Sequence, residues 1–374
     1  MTTPGPEDRP YHEWPPQQWP QHRWPPPPPP GYPPPWAKLP TPPPHDVPRP
    51  FLHVMRSRTW AWWKPLLGLL LLAGVYAVSA IAGVALAVVA LLRTGRGILA
   101  GLANGDLTDP RVLLVTNISL MVAIPVVWLV WAAVHQMRIG WSSSVRGRLR
   151  WRLFLPWTVL ALATLGPGIA LSILLGVGLG APLTGPVPEF GWLLVVVLLT
   201  TPLQSAAEEY VFRGYLSQAI AGWFRAERIG AVVAGLLSAI LFSLAHAPPD
   251  RAAFLDRFAV GLAASAVVRL TGGLEAAIAL HTVNNVLVFI LAGVLGESAT
   301  TDGVPGAGAL DLVLTVLAPA GYVALVAVLR RRVRPDLTTA AVDLRPGAVP
   351  SHPDPSGIVS PWRREAPNSP WGMG

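Results

Sequence analysis

Hydrophobic residues along the chain are gathered into long runs instead of alternating with polar ones. A helix of about 20 apolar residues crosses the hydrocarbon core of a bilayer. We therefore predict an all-α fold, a polytopic membrane helix bundle with about eight transmembrane helices. The predicted spans are Pro65–Leu92, Val112–Val134, Leu153–Leu179, Phe190–Phe212, Ile229–Ala247, Ala252–Leu270, Leu274–Gly296 and Ala309–Leu329. The sixth is the weakest, because Asp256 and Arg257 lie in its first turns.

The composition agrees with a protein embedded in the lipid bilayer. Of the 374 residues, 52% are hydrophobic and only 13% are charged, and the mean hydropathy is +0.46. The net charge of +8 does not indicate nucleic-acid binding, because the arginines lie mostly between the apolar spans or in the tails. With no cysteine in the chain, disulfides, thiolate metal sites and cysteine nucleophiles are excluded.

The two ends of the chain differ from the middle. Residues 1–60 hold half of the 42 prolines and are predicted to form a disordered, proline-rich cytoplasmic tail that ends in a basic and aromatic membrane-entry segment. Either this tail binds a partner that recognises proline-rich sequences, or it has no dedicated partner. Residues 61–334 form the predicted transmembrane domain, and residues 335–374 a second disordered tail.

The distribution of cations predicts the orientation in the membrane. Lys and Arg are concentrated in the N-terminal tail and in alternate loops, such as the one with Arg146, Arg148 and Arg150. By the positive-inside rule these segments face the cytoplasm, so both termini are predicted to be cytoplasmic. The richness in Ala, Leu, Val, Arg and Pro suggests a high-GC genome, and therefore a multi-pass protein of the bacterial inner membrane.

Ionisable side chains inside the predicted spans are concentrated in the second half of the bundle. Such groups are costly in lipid and are functional candidates by default. The first three spans contain no Asp, Glu, Lys, Arg or His. We therefore predict one shared polar site, formed by Glu208, Glu209 and Arg213 in the fourth span, His246 in the fifth, and His281 and Asn285 in the seventh.

Helical spacing divides these residues by role. Glu209 and Arg213 are four residues apart, with the acid first, which favours a helical ion pair. Glu208 lies on a different face and stays free to react. His281 and Asn285 are also four apart and share a face. One carboxylate with imidazoles can activate a water, by general-base action or around a metal. An imidazole and an amide can also donate to a developing oxyanion.

The three motifs resemble those of a known family. Glu208-Glu209-x-x-x-Arg213, Phe242-x-x-x-His246 and His281-x-x-x-Asn285 are similar to the motif series of the CPBP family, the type II CAAX prenyl endopeptidases and their bacterial Abi relatives. The motif-bearing core is residues 190–296. The resemblance implies an intramembrane endopeptidase acting on a membrane-associated protein or peptide.

The resemblance also implies roles for the site residues. Glu208 would deprotonate the attacking water with help from His246, while His281 and Asn285 would stabilise the oxyanion. Glu209 and Arg213 would support the site. The family is described both as metalloprotease and as a metal-free glutamate protease, and the sequence leaves zinc and a metal-free mechanism equally open. If zinc is used, Glu208, His246 and His281 are the candidate ligands.

Two other functions are compatible with the same residues. The chain could be a non-catalytic membrane scaffold or immunity-type protein of the same fold, or a proton-coupled transporter, since intramembrane Glu and His suit proton transfer.

The predicted span boundaries disagree about the depth of the site in the membrane. They place Glu208 and His281 towards the cytoplasmic side and His246 towards the far side, unless the fourth span continues to about Trp223 or Pro248 and Pro249 lie in a re-entrant bend.

Overall fold

The computed structural model describes residues 44–78, 106–178, 183–296 and 308–340. In this part of the chain every named element is helical, and β pairing is limited to two isolated bridges. The tail at 1–43, residues 79–92 of the first predicted span and residues 341–374 lie outside the described residues. The helices are α1 (Lys64–Val78), α2 (Pro110–Met121), α3 (Ala123–Ala133), α4 (Phe154–Gly178), α5 (Phe190–Gly222), α6 (Glu227–Ala245), α7 (Arg251–Thr271), α8 (Glu275–Leu295) and α9 (Gly308–Val333).

The all-helical membrane fold is confirmed, whereas the number of spans is confirmed only in part. Five helical segments in the described residues are long and apolar enough to cross a membrane: Pro110–Ala133, Trp151–Gly178, Phe190–Gly222, Glu227–Ala245 and Glu275–Leu295. The described part of α1 is apolar but shorter. The helices α7 and α9 are not among the five, and α7 carries charges at Arg251, Asp256, Arg257 and Arg269. A total of eight spans therefore stays a prediction.

The long helix α5 is continuous through a π-helical turn at Phe212–Leu216 and ends at Gly222. A π turn shifts the backbone hydrogen bonds by one residue. The carbonyl of Phe212 accepts from the hydroxyls of Ser217 and Ser238, at 2.8 and 3.1 Å. Because the helix extends ten residues beyond the predicted end of the span, Glu208 lies near the middle of α5. The depth conflict is therefore relieved by the longer helix.

Close packing of small residues brings the site-bearing helices together. α8 packs against α4, α5 and α7, and α6 packs against α7. On α8, Ala276, Ala277 and Leu280 are completely buried. α9 is tied to this face, since the Tyr322 hydroxyl donates to the Ala276 carbonyl at 2.9 Å. The short side chains allow the backbones to approach closely, as is usual where membrane helices associate.

A buried ion pair fixes the start of α8. Arg150 forms a bidentate pair with Glu275, with Nε–Oε1 and Nη2–Oε2 distances of 2.9 and 2.6 Å. Its other donors reach the carbonyls of Asp336 and Thr271, each at 3.0 Å. Gly272 follows with a φ of +71°, and a Cβ there would overlap the carbonyl of Asp336. Arg150, counted in the sequence as a topology signal, therefore also joins three segments of the chain.

We expect Glu275→Gln to destabilise the protein. The substitution keeps the size and one acceptor oxygen but leaves the buried Arg150 guanidinium without a counter-charge, at a cost of about 2 kcal/mol. The melting temperature in mild detergent measures the loss. Glu189→Gln is the matched control, because it removes an exposed ion pair with Arg111 that contributes little. Equal melting temperatures for both variants would contradict the structural role of the buried pair.

The inner ends of both predicted tails are packed against the bundle. Phe51 and Met55 are completely buried, and Arg49 pairs with Glu227, the first residue of α6, at 3.1 Å. The backbone of Thr339 donates to the carbonyl of Arg49 at 2.8 Å. Residues 44–60, which the sequence assigns to a proline-rich tail with a membrane-entry segment, and residues 335–340 thus pack against the folded domain, and residues 51–53 contact α5, α6 and α7. Burial of the apolar side chains of residues 51–55 is the physical reason for the difference.

Acid should destabilise this end of the protein through His135. This residue follows α3, is buried, and its Nε2 lies 3.1 Å from the Tyr215 hydroxyl. Burial, with a smaller effect of the Lys64 charge, lowers the pKa of His135 to about 4 from 6.5. The unfolded chain therefore binds this proton near pH 6.5 and the folded chain only near pH 4, so stability is lost as the pH falls between these values.

The measurement is the melting temperature across pH 7 to 4. His135→Gln should show a shallower acid decline than the wild type. It should not abolish the decline, because burial also lowers the pKa of His45 and of His53. An unchanged slope in the variant would rule out this contribution.

Candidate active site

Three helices bring one carboxylate and two imidazoles together. Glu208 lies in α5, His246 directly follows the last residue of α6, and His281 lies in the second turn of α8. The Nε2 atoms of both histidines are 3.6 Å from Oε2 of Glu208. The ring of Phe242 contacts both imidazoles, with centroid distances of 4.6 and 5.4 Å. The polar residues predicted to share one site are therefore neighbours in space.

The partners of the two histidines determine which nitrogen carries the proton. Nδ1 of His246 is 2.7 Å from the carbonyl of Phe242, and Nδ1 of His281 is 3.0 Å from Oε1 of Glu209. A carbonyl and a carboxylate only accept, so in each neutral imidazole Nδ1 holds the hydrogen and Nε2 presents a lone pair. Both lone pairs face Oε2 of Glu208, a buried atom with no hydrogen-bond partner. Oε2 of Glu208 and the two Nε2 atoms are thus three hydrogen-bond acceptors that face one another.

Glu209 and Arg213 form the ion pair expected from their spacing. Nη1 of Arg213 donates to Oε1 of Glu209 at 2.7 Å, and both side chains are buried. The guanidinium also donates to the carbonyl of Gly261 at 2.8 Å and lies 4.7 Å from the Phe242 ring centre. Oε1 of Glu209 also accepts from Nδ1 of His281. The ion pair therefore holds the imidazole in place, and it does not include any of the three acceptors named above.

Asn285 lies one turn after His281 and is half-buried. Its Nδ2 is 3.4 Å from Oε1 of Gln204 and 3.5 Å from the Ser205 hydroxyl. Nε2 of Gln204 in turn donates to Oε1 of Glu208 at 2.5 Å. Gln204 is not among the site residues predicted from the sequence. Its signal was present, because an amide four residues before Glu208 lies on the same helix face.

Among the three reactive side chains of the site, that of His246 is the most exposed. The His246 side chain is 31% exposed, whereas those of Glu208 and His281 are 11% and 2% exposed. The residues flanking His246 line a groove of about 580 Å³ at the α6–α7 turn. The groove is lined by Leu244, Pro248, Pro249, Asp250, Arg251, Phe254 and Leu255. The groove therefore lies beside His246, the more exposed of the two imidazoles.

Zinc is the metal that the site residues would suit. The donor types of Glu208, His246 and His281 suit zinc, and the second nitrogen of each imidazole is held as in many metal-bound histidines. However, among the residues that the structure describes, no three His, Cys, Asp or Glu side chains are grouped closely enough to hold an ion. Participation of zinc at these three residues therefore stays a proposal.

Comparison with known proteins agrees with the motifs. A family model described as "Type II CAAX prenyl endopeptidase Rce1-like" matches residues 190–287, about a quarter of the chain. The matched segment contains all of the site residues described above. The resemblance drawn from the three motifs is confirmed over this segment. Neither a curated protein nor a solved structure matches the chain.

Proposed function

We propose that this chain, whose residues 190–287 match the Rce1-like family of type II CAAX prenyl endopeptidases, is an intramembrane endopeptidase. It hydrolyses a peptide bond in a membrane-associated protein or peptide. The observation that carries the proposal is the convergence of three acceptor atoms, Oε2 of Glu208 and Nε2 of His246 and His281. A water molecule has two hydrogens to donate to such acceptors, so this arrangement is suited to binding and deprotonating water.

The proposed reaction begins with that water. As its oxygen forms a bond to the carbonyl carbon of the substrate, one O–H bond breaks and the proton passes to Glu208. His246 accepts a hydrogen bond from the water and keeps it oriented. The C–N bond then breaks, and the proton held by Glu208 moves to the leaving nitrogen. Atoms and charges balance without any further reactant.

We assign stabilisation of the oxyanion mainly to Asn285, and to His281 as a second donor. The Nδ2 hydrogens of Asn285 make only long contacts, of 3.4 and 3.5 Å, so they can turn to a developing negative charge. His281 can donate from Nε2 only when both of its nitrogens are protonated. The neighbouring Glu209 carboxylate would stabilise that imidazolium. Arg213 in turn holds Glu209 in position through the 2.7 Å ion pair.

Zinc is the alternative means of activating the same water. If zinc takes part, Glu208, His246 and His281 would hold it, and it would lower the pKa of the bound water. The metal content of the purified protein, measured by mass spectrometry, distinguishes the zinc-dependent from the metal-free form of the proposal.

We propose that the protein lies in the bacterial inner membrane with both termini in the cytoplasm.

Comparative proteomics of the encoding strain tests the proposal. In a strain carrying Glu208→Gln we expect a membrane-bound precursor to accumulate and its cleaved product to disappear. A strain carrying Glu227→Gln, which changes a half-exposed carboxylate that pairs with Arg49, should match the wild type. Normal processing and normal physiology with Glu208→Gln would instead support a scaffold. Proton-dependent solute flux in proteoliposomes, without any cleaved product, would support a transporter.

A further inference from the structure

We infer that Gln204 is a positioning residue that determines which carboxylate oxygen of Glu208 faces the water. This inference rests on the proposed function of Glu208 as the general base. Gln204 and Glu208 lie one turn apart on α5, and both are buried. The bond from Nε2 of Gln204 engages Oε1 of Glu208 at 2.5 Å. Oε2 is thereby left to face the two imidazoles.

The orientation of the Gln204 amide follows from its other contacts. Its Oε1 accepts from the Ser205 hydroxyl at 3.3 Å and from Nδ2 of Asn285 at 3.4 Å. Rotating the amide by 180° would place its oxygen against the carboxylate of Glu208 and its NH2 against the NH2 of Asn285. Both contacts would be repulsive. The network therefore allows one orientation, in which Gln204 donates to Glu208.

Gln204 thereby connects the two parts of the proposed chemistry. It holds Glu208, the base in α5, and its Oε1 makes a long contact of 3.4 Å with Nδ2 of Asn285, the oxyanion donor in α8. The Glu208 carboxylate is attached to the backbone through three rotatable bonds, so without Gln204 it would have several rotamers where only one is productive. Displacement of a reacting group by about 1 Å can lower a rate by about 10²-fold. Gln204 need not touch the substrate for its loss to matter.

Two substitutions separate positioning from simple packing. Gln204→Met fills nearly the same volume but donates no hydrogen bond, and we expect cleavage to fall by about 10- to 100-fold at every pH. Gln204→Glu introduces a carboxyl that donates to Glu208 only while it is protonated. The two carboxyls would titrate as a pair. The activity of this variant, relative to the wild type, should therefore recover as the pH is lowered.

The assay uses full-length protein in proteoliposomes fused with membrane vesicles from the Glu208→Gln strain, and counts new N-termini by mass spectrometry. Thr201→Val is the matched control, since Thr201 is a buried hydroxyl of α5 that bonds Asn117 at 3.2 Å, about two turns from Glu208. It should leave the rate unchanged. Folded protein is quantified for each variant by size-exclusion chromatography.

The outcomes of this assay are distinguishable. Wild-type activity with Gln204→Met overturns the inference, provided that Glu208→Gln is inactive in the same assay. Equal losses for Gln204→Met and Gln204→Glu at all pH values, in proportion to the folded fraction, also overturn it and assign Gln204 to packing alone. Wild-type activity with Glu208→Gln would instead overturn the proposed function itself.

Discussion

Glu208→Gln should lower the rate of peptide-bond cleavage by about 10²- to 10⁴-fold, the usual contribution of a general base. The amide has nearly the same shape as the carboxylate, and its oxygen can still accept from Gln204. Its NH2 group would face the lone pairs of His246 and His281, so the variant should fold normally. The rate of appearance of new N-termini in proteoliposomes measures the effect.

Two controls accompany this variant. Glu227→Gln should retain the wild-type rate, because its carboxylate lies outside the site. A metal chelator should leave the wild-type rate unchanged if water is activated by Glu208 and imidazole alone. Inhibition that is reversed by added zinc would establish the metal-dependent form. Full activity of Glu208→Gln, with or without a chelator, would eliminate both forms.

Arg213→Met should destabilise the protein by about 3–5 kcal/mol, because it leaves the Glu209 carboxylate buried without its cationic partner. Both side chains are at most 1% exposed, so water cannot compensate for the loss. A loss of this size corresponds to a fall of roughly 10 °C in melting temperature. Cleavage should fall as well, since Glu209 would no longer hold the imidazole of His281.

The double variant Glu209→Gln with Arg213→Met tests the electrostatic reason. Removing both charges should restore much of the lost stability, since replacing a buried pair by neutral groups is often tolerated. If the single Arg213→Met variant melts with the wild type, the pair does not stabilise the fold. If the double variant is as unstable as the single one, loss of packing around Phe242 and Gly261 explains the effect better than charge.

Helical periodicity explains why the centre of the site could be predicted. The four-residue spacings of Glu209 with Arg213 and of His281 with Asn285 predict shared faces, and lipid makes isolated charges costly. The structure brings these residues together with Glu208. The depth of the site was harder to predict, because hydropathy cannot reveal that α5 continues as a helix past its apolar part to Gly222.

Other features depend on contacts that no local pattern reveals. The high cost of burying a charge in lipid identified Glu208 as a candidate site residue. Gln204 is uncharged, so this criterion did not identify it. Arg150 and Glu275 are 125 residues apart in the chain, and each lies near the end of a predicted span, where charges are common. The packing of Phe51 and Met55 against the folded domain likewise depends on the tertiary fold.

The π-helical turn at Phe212–Leu216 separates α5 into two registers. One residue more than a regular helix needs is accommodated there, so the residues after the turn are rotated by about 100° relative to an uninterrupted helix. Before the turn, the register aims Glu208 at the histidines. After it, the register places the Gln218 amide 3.4 Å from the carbonyl of Trp141. Loss of one residue within the turn could therefore leave each half regular but misaligned with the other, which makes this segment far less tolerant of deletions than of substitutions.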